Sequence, residues 1–293
     1  MDVKIIGNGV WGKAIYSVVK KNVPTVSFLL RGEKATVRDV LILSVPTQSI
    51  REALQLISFK EKHGIVINTA KGIEKNTHYL PQQIVREAFG EGARYYSLLG
   101  PSFANEVVDE MPTIVNLGYT DENPLNQDVR NLFLTPYFRV RLTQNIEALE
   151  LSGAFKNIYA IACGFANGLG YGANTRAKLL VLAIEEMSEL HANLGHKMEV
   201  NMTAGTLGDL ILTCNSIESR NFRFGSYLAT HKKDEALALV KSTVEGLDSL
   251  ASVEYFKKKA KTKLRLASFI CELVSIDKPK SAKKNFEDFV ALT

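Results

Sequence analysis

The segment Glu150–Lys178, ELSGAFKNIYAIACGFANGLGYGANTRAK, has the composition of a buried helix, yet it carries an ammonium group at Lys156. If residues 150–166 are helical, Ser152, Gly153, Tyr159 and Ala160 lie next to Lys156 on the helix surface, with Cys163 and Gly164 a turn further on. Apart from Tyr159 these are small, which leaves room for a ligand, while Phe155, Ile158 and Ile161 face elsewhere. A cation in such a place can stabilise developing negative charge and can deliver or remove a proton. That chemistry requires its pKa to fall from about 10.4 towards neutrality. Partial burial and a like charge both act in that direction, and Lys71, just past the strand-like GIVINT, is the candidate for the like charge. The alternative is a lysine that snorkels to solvent, for which polar neighbours are expected.

Other polar groups sit where ligands bind in open α/β sheets, at the ends of strand-like runs. After YYSLLG comes PSFANE, where Gly100 and Pro101 make a sharp turn and Ser102 offers a hydroxyl at a helix start. That hydroxyl is equally suited to capping the helix. Asp209 stands inside the apolar run LGDLILTC, and SRNFRFG supplies Ser219, Arg220 and Asn221, donors suited to a phosphate. At the start of the chain, VKIIGNGVWGKAIYSVVKK reads as strand, Gly7-x-Gly9-x-x-Gly12, then helix. In that arrangement Gly7 permits a tight turn, Gly9 admits a pyrophosphate and Gly12 allows close helix–strand packing, the signature of a dinucleotide site. The second strand ends FLLRGEK, with Arg31 and Lys34 where an NAD-specific site usually has an acid. Two cations favour the 2′-phosphate of NADPH, although Glu33 between them could hold a ribose hydroxyl and admit NADH.

The elements that must position these residues follow two grammars. Residues 1–145 alternate helical patterns with apolar runs: VKII (3–6), TVSFLL (25–30), VLILSV (40–45), GIVINT (64–69), YYSLLG (95–100), PTIVNLG (112–118) and YFRVRL (137–142). With helices expected at QSIREALQLIS and YLPQQIVREAFG, this predicts an α/β fold, a Rossmann-like doubly wound parallel sheet. Residues 146–293 change to helical periodicity in IEALELSGAFKNIYAIACGFA, ANTRAKLLVLAIEEMSELHANLG and KDEALALVKSTVEG, predicting an all-helical domain and a cleft between the two halves.

Composition narrows the classes further. The chain has 293 residues, 46% hydrophobic and 23% charged, with a net charge of +5, which suits phosphorylated small molecules and is too weak to imply nucleic acid. The basic run 257–263, KKKAKTK, reads as a solvated helix face. Cys163, Cys214 and Cys271 form no CxxC pair, and His191 and His196 have no second ligand pair, so neither disulfides nor a metal site is expected. Neither a leader nor an apolar run long enough for a membrane span is evident, so the expected location is the cytoplasm.

Taken in order, GNGVWG, TAKGIE, LLGPSFANE, LSGAFKNIYAIACG, GLGYGANTRAKL, GTLGDLILTC, SRNFRFG and TVEG resemble the soluble NAD(P)-dependent glycerol-3-phosphate dehydrogenases nearly from end to end. The resemblance implies reversible reduction of dihydroxyacetone phosphate to sn-glycerol 3-phosphate for glycerophospholipid synthesis, and a possible homodimer. It implies that Lys156 is the acid/base and Lys71 the second active-site lysine. Substrate would fall to Lys71, Gly100, Ser102, Lys156, Asp209, Ser219, Arg220 and Asn221. Cofactor would fall to Gly7, Gly9, Val10, Trp11, Gly12, Arg31, Lys71, Ala104, Arg220, Val244 and Glu245. The chain departs from the family in its short connection from Arg31 to Val40, too short for an ordinary crossover, and in its short, Lys-rich C-terminal segment. Competing readings are a two-domain β-hydroxyacid dehydrogenase and a non-catalytic nicotinamide-nucleotide sensor.

Overall fold

A computed structural model of the chain describes residues 1–60 and 64–293. They form two compact units, one of residues 1–151 with 203–205, the other of residues 152–202 with 206–293.

The first unit begins with β1 (Val3–Ile6), α1 (Val10–Lys20), β2 (Ser27–Leu29), β3 (Ala35–Val37), β4 (Val40–Leu43), α2 (Thr47–Leu54), β5 (Ile57–Phe59) and β6 (Ile65–Asn68). It continues with α3 (Pro81–Phe89), β7 (Arg94–Leu99), α4 (Ala104–Val108), β8 (Thr113–Gly118), α5 (Leu125–Asn131) and β9 (Phe138–Thr143). The main sheet has the order β2-β1-β4-β6-β7-β8-β9. Strands β2, β1, β4, β6 and β7 are mutually parallel, as expected of a doubly wound sheet. At its far edge β8 runs antiparallel to β7 and β9 runs parallel to β8. The short α4 turns the chain back at the end where β7 finishes, without a crossover along the sheet.

Apolar residues on both faces of the strands explain their continuous hydrophobic runs. Val40, Ile42, Ile65 and Ile67 pack with Ala14, Ile15 and Val18 of α1 on one face. Leu41, Leu43 and Val66 pack with Ile50, Leu54, Ile84 and Val85 of α2 and α3 on the other. The short connection to Val40 carries no helix. Strand β3 within it pairs in parallel with β5 in a separate two-stranded sheet, and Ala35, Ile57 and Phe59 pack on the second core. The pattern QSIREALQLIS therefore splits into α2 and the start of β5 rather than continuing as one helix.

The second unit holds most of α6 (Ile146–Gly168), then α7 (Ala173–Asn193), α8 (Asp209–Asn215), α9 (Arg220–Leu228), α10 (Lys233–Val240), α11 (Glu245–Leu250), α12 (Val253–Lys259), α13 (Arg265–Ser275) and α14 (Pro279–Leu292). A π-helical turn, Ala204–Gly208, leads into α8. The segment KDEALALVKSTVEG is two helices, α10 and α11, because Lys241 takes the left-handed conformation (φ 54) and closes the first of them. No helix among the described residues is long and apolar enough to cross a membrane.

Candidate active site

In the first unit the glycine turn follows β1 directly. Gly7 has φ 103, and a Cβ there would lie 2.3 Å from the Ser44 carbonyl oxygen, so only glycine fits. A Cβ on Gly12 would lie 1.9 Å from the Gly7 carbonyl oxygen, which is how α1 approaches the turn so closely. At Gly9, the N-cap of α1, a Cβ would meet nothing within 4 Å. The first turn of α1 carries no acid, Val10 is exposed and Trp11 is half-buried. An open glycine face before the unpaired N–H groups of an eleven-residue helix fits a dinucleotide pyrophosphate. Arg31 and Lys34 are exposed beyond β2. Glu33, the residue that could have reached a ribose, instead accepts the Leu30 N–H at 2.7 Å and closes its own turn.

Lys71, Gly100 and Ser102 meet at one atom. The Lys71 ammonium donates to the Gly100 carbonyl at 2.8 Å and the Ser102 hydroxyl donates to the same oxygen at 3.0 Å. Ser102 is therefore not the cap of α4; Phe103 occupies that position and makes no side-chain cap bond, and Ala104 is the first helical residue. Behind Lys71, the Asn68 amide grips Ala70 twice, accepting from its N–H at 2.9 Å and donating to its carbonyl at 3.0 Å.

Glu150, on the part of α6 that belongs to the first unit, is enclosed and accepts from the Tyr95 hydroxyl and from Ser97. Burial raises its carboxyl pKa from the ordinary 4.5 to about 7, the hydrogen bonds opposing that rise. A carboxyl raised on folding contributes stability that is complete below about 4.5 and is lost as pH rises through about 7. At roughly 1.4 kcal/mol per pKa unit this amounts to about 3 kcal/mol. Glu150→Gln should remove the dependence, so the variant gains on the parent by up to about 3 kcal/mol between pH 4.5 and 8 in urea unfolding. A constant difference across that range would refute it.

In the second unit the helix that carries Lys156 is buried on every side from residue 152 to residue 166. A charge there needs a partner. Lys156 is 5% exposed and donates to Asp209 Oδ1 at 2.6 Å and to Thr213 Oγ1 at 2.7 Å. Asp209 and Thr213 share a face of α8, and the Thr213 hydroxyl also lies 3.3 Å from Asp209 Oδ1. The lysine does not snorkel. The charge beside it within this unit is a carboxylate, which favours the ammonium form. The small residues of α6 also have another use: a Cβ on Gly164 would lie 1.9 Å from the Phe222 carbonyl oxygen, and one on Gly225 would lie 2.0 Å from that of Ile161. They let α6 and α9 cross at backbone contact, while Ser152 is bonded to His191 and Thr206 and Tyr159 to Glu186.

His191 bonds Ser152 through Nε2 and Asn201 through Nδ1, at 3.2 and 2.8 Å, and burial lowers its pKa to about 4, so it is a neutral core group. Among the described residues no cluster of His, Cys, Asp and Glu could hold a metal ion.

Ser219, Arg220 and Asn221 begin α9. Ser219 is its N-cap, accepting from the Phe222 N–H at 3.3 Å. Asn221 donates to Asn157 Oδ1 at 2.9 Å and accepts from the Gly246 N–H at 2.8 Å. Asn157 reaches Glu245 at 3.4 Å, and Arg220 lies 3.7 Å from the same carboxylate and 3.3 Å from Ser242. Val244 is the N-cap of α11 and Glu245 its first residue. The fold thus joins Asn221 to Glu245 through Asn157, and Arg220 to the same carboxylate. Sequence reasoning missed Asn157 and Thr213. Their signals are adjacency to Lys156 and a one-turn spacing from Asp209.

A Rossmann-type sheet with a glycine turn, followed by helices around a buried, paired lysine, defines the class of two-domain dinucleotide-dependent dehydrogenases. Residues 32–124 match the model for the N-terminus of NAD-dependent glycerol-3-phosphate dehydrogenase, and residues 145–283 match the model for its C-terminus. An NAD(P)+ glycerol-3-phosphate dehydrogenase of Solidesulfovibrio magneticus is 37% identical over 243 residues, covering 82% of this chain and 73% of the relative. One from Halothermothrix orenii is 32% identical over 313 residues, covering 94% and 91%. The crystal structure of glycerol-3-phosphate dehydrogenase from Coxiella burnetii superposes with a TM-score of 0.85 at 25% identity, covering 99% of this chain and 98% of that one. The chain belongs to the NAD-dependent glycerol-3-phosphate dehydrogenase family.

Proposed function

We propose that the chain catalyses the reversible reduction of dihydroxyacetone phosphate to sn-glycerol 3-phosphate with NADPH, feeding glycerophospholipid synthesis. The observation that carries the assignment of roles is the Lys156 ammonium, buried and fixed between Asp209 and Thr213. The cofactor, when bound, supplies the hydride in one direction and accepts it in the other. Gly7, Gly9, Val10, Trp11 and Gly12 would hold its pyrophosphate, Arg31 its adenosine side, and Ala104, Val244 and Glu245 the remainder.

As the substrate's carbonyl carbon gains hydride, negative charge grows on its oxygen. The Lys156 ammonium stabilises that charge more in the transition state than in the ground state. It then gives the oxygen a proton, and in reverse takes the hydroxyl proton away. Asp209 keeps the ammonium charged at rest and Thr213 fixes its direction. Lys71, oriented by Gly100, binds substrate beside Ser102, while Ser219, Arg220 and Asn221 receive the phosphate. Arg220 leaves 41% of its side chain accessible, as a group that must meet an incoming anion requires.

Arg220→Ala should raise KM for dihydroxyacetone phosphate with little change in kcat, the signature of binding common to ground and transition states. An unchanged KM in steady-state assays would remove Arg220 from phosphate recognition. Initial rates with NADPH and NADH side by side test the cofactor. NADPH should be preferred, because the exposed Arg31 and Lys34 suit a 2′-phosphate while Glu33 is engaged with Leu30. Arg31→Ala should narrow the preference, and equal rates for the two cofactors in the parent would overturn it. Turnover of non-phosphorylated hydroxyacids in the same assay would favour the β-hydroxyacid reading. We place the protein in the cytoplasm, consistent with its free cysteines, and propose a homodimer, to be measured by light scattering.

A further inference from the structure

The enclosed carboxylate of Glu150 has no part in the chemistry proposed above. Oε1 accepts from the Tyr95 hydroxyl, from Ser97 Oγ at 2.9 Å and from Asn68 Nδ2 at 3.4 Å. Oε2 accepts from the Gln82 N–H at 3.1 Å. All four donors are neutral. A carboxylate so placed costs more than an apolar residue of similar size, so its position calls for a reason.

The reason lies in where the donors stand. Asn68 and Ser97 are directly opposed partners in the register of β6 and β7. Each is near the end of its strand, just before the chain departs to Lys71 on one side and to Gly100 on the other. Glu150 binds both residues with one oxygen. Asn68 then passes the constraint on, because the amide that meets Glu150 also grips Ala70 at its N–H and at its carbonyl. The next residue is Lys71, whose ammonium donates to Gly100. Backbone at a strand end is otherwise free to splay, and a side chain that ties two strand ends together removes that freedom.

We propose that Glu150 is a positioning residue for Lys71: by bridging Asn68 and Ser97 it sets the spacing between the Lys71 ammonium and the Gly100 carbonyl. This rests on the reading of Lys71 as a substrate-binding lysine. A displacement of about 1 Å in a positioned group can cost up to about 10²-fold in rate, so losing the bridge should be visible in catalysis and not only in stability.

The test is a double-mutant cycle in the full chain. Glu150→Met, Lys71→Ala and the double variant are assayed for kcat and KM with dihydroxyacetone phosphate at saturating NADPH. The cofactor dissociation constant is followed by fluorescence. Glu150→Met, which keeps the size of the side chain and removes its acceptors, should lower kcat/KM roughly tenfold, within the span that misplacement allows, with the cofactor constant unchanged. In the Lys71→Ala background it should have no further effect. The same fold-loss in both backgrounds, or no loss in the parent, would overturn the proposal while leaving the reading of Lys71 intact. Parental rates for Lys71→Ala alone would overturn that reading, and the proposal with it. Should Glu150→Met fail to fold, Ser97→Ala removes one arm of the bridge and keeps the carboxylate. It is expected to give a smaller loss that again vanishes in the Lys71→Ala background, and equal losses in both backgrounds would decide against the bridge.

Discussion

Lys156→Ala should lower turnover of dihydroxyacetone phosphate roughly 10²–10⁴-fold, the usual cost of losing a general acid, while the cofactor still binds. Steady-state kinetics with a parallel cofactor titration measure both. Lys156 sits on α6 and the glycine turn before α1, so truncating one side chain leaves the other intact. Near-parental turnover would remove Lys156 from the chemistry. The variant carries a second consequence, because it leaves the carboxylate of Asp209, 1% exposed, without its cation. Loss of stability must therefore be separated from loss of catalysis, which the next substitution allows.

Asp209→Ala should destabilise the protein by about 3–5 kcal/mol, the range for removing one partner from a buried ion pair. The 2.6 Å contact with Lys156 disappears, while the enclosed ammonium keeps its hydrogen bond to Thr213 on α8. Asp209→Asn, which preserves shape and an acceptor oxygen, should lose less. Exchanging both members for apolar residues, Lys156→Met with Asp209→Leu, should recover most of the stability, since a well-packed apolar pair commonly equals or exceeds a buried ion pair. It should recover no turnover. Urea unfolding of the three variants measures the first effect and kinetics the second. A parental midpoint for Asp209→Ala would mean that the pair does not restrain the lysine, and recovered turnover in the double variant would mean that the charge is not used.

The candidate residues of the two units are legible to different depths. The glycine turn could be read because its requirements are local: Gly7 and Gly12 are excluded from bearing a Cβ by atoms in the same strand–turn–helix unit and by the adjoining strand end at Ser44. The charge in α6 could be read as an anomaly, but not its solution. The partner found in its own unit lies 53 residues further along the chain. The small residues near Lys156 suggest space for a ligand, yet Gly164 serves the crossing with α9, and composition cannot distinguish a void from a helix contact. The short stretch before Val40 announced that an ordinary crossover was missing. That β3 would pair with β5 could not be read from three-residue strands of such modest pattern.

By itself, then, the amino-acid order determined the elements and the turn: alternation of apolar runs, helical periodicity and glycine sterics all act over a few residues and leave their mark there. The tertiary structure alone decided the direction of β8, the break between α10 and α11, the pairing of Lys156 with Asp209 and Thr213, and the linkage of Asn157 with Asn221 and Glu245. Such partnerships arise when buried polar groups must satisfy one another among whichever elements the core brings together. That condition joins residues far apart in the chain, and no spacing within the chain expresses it.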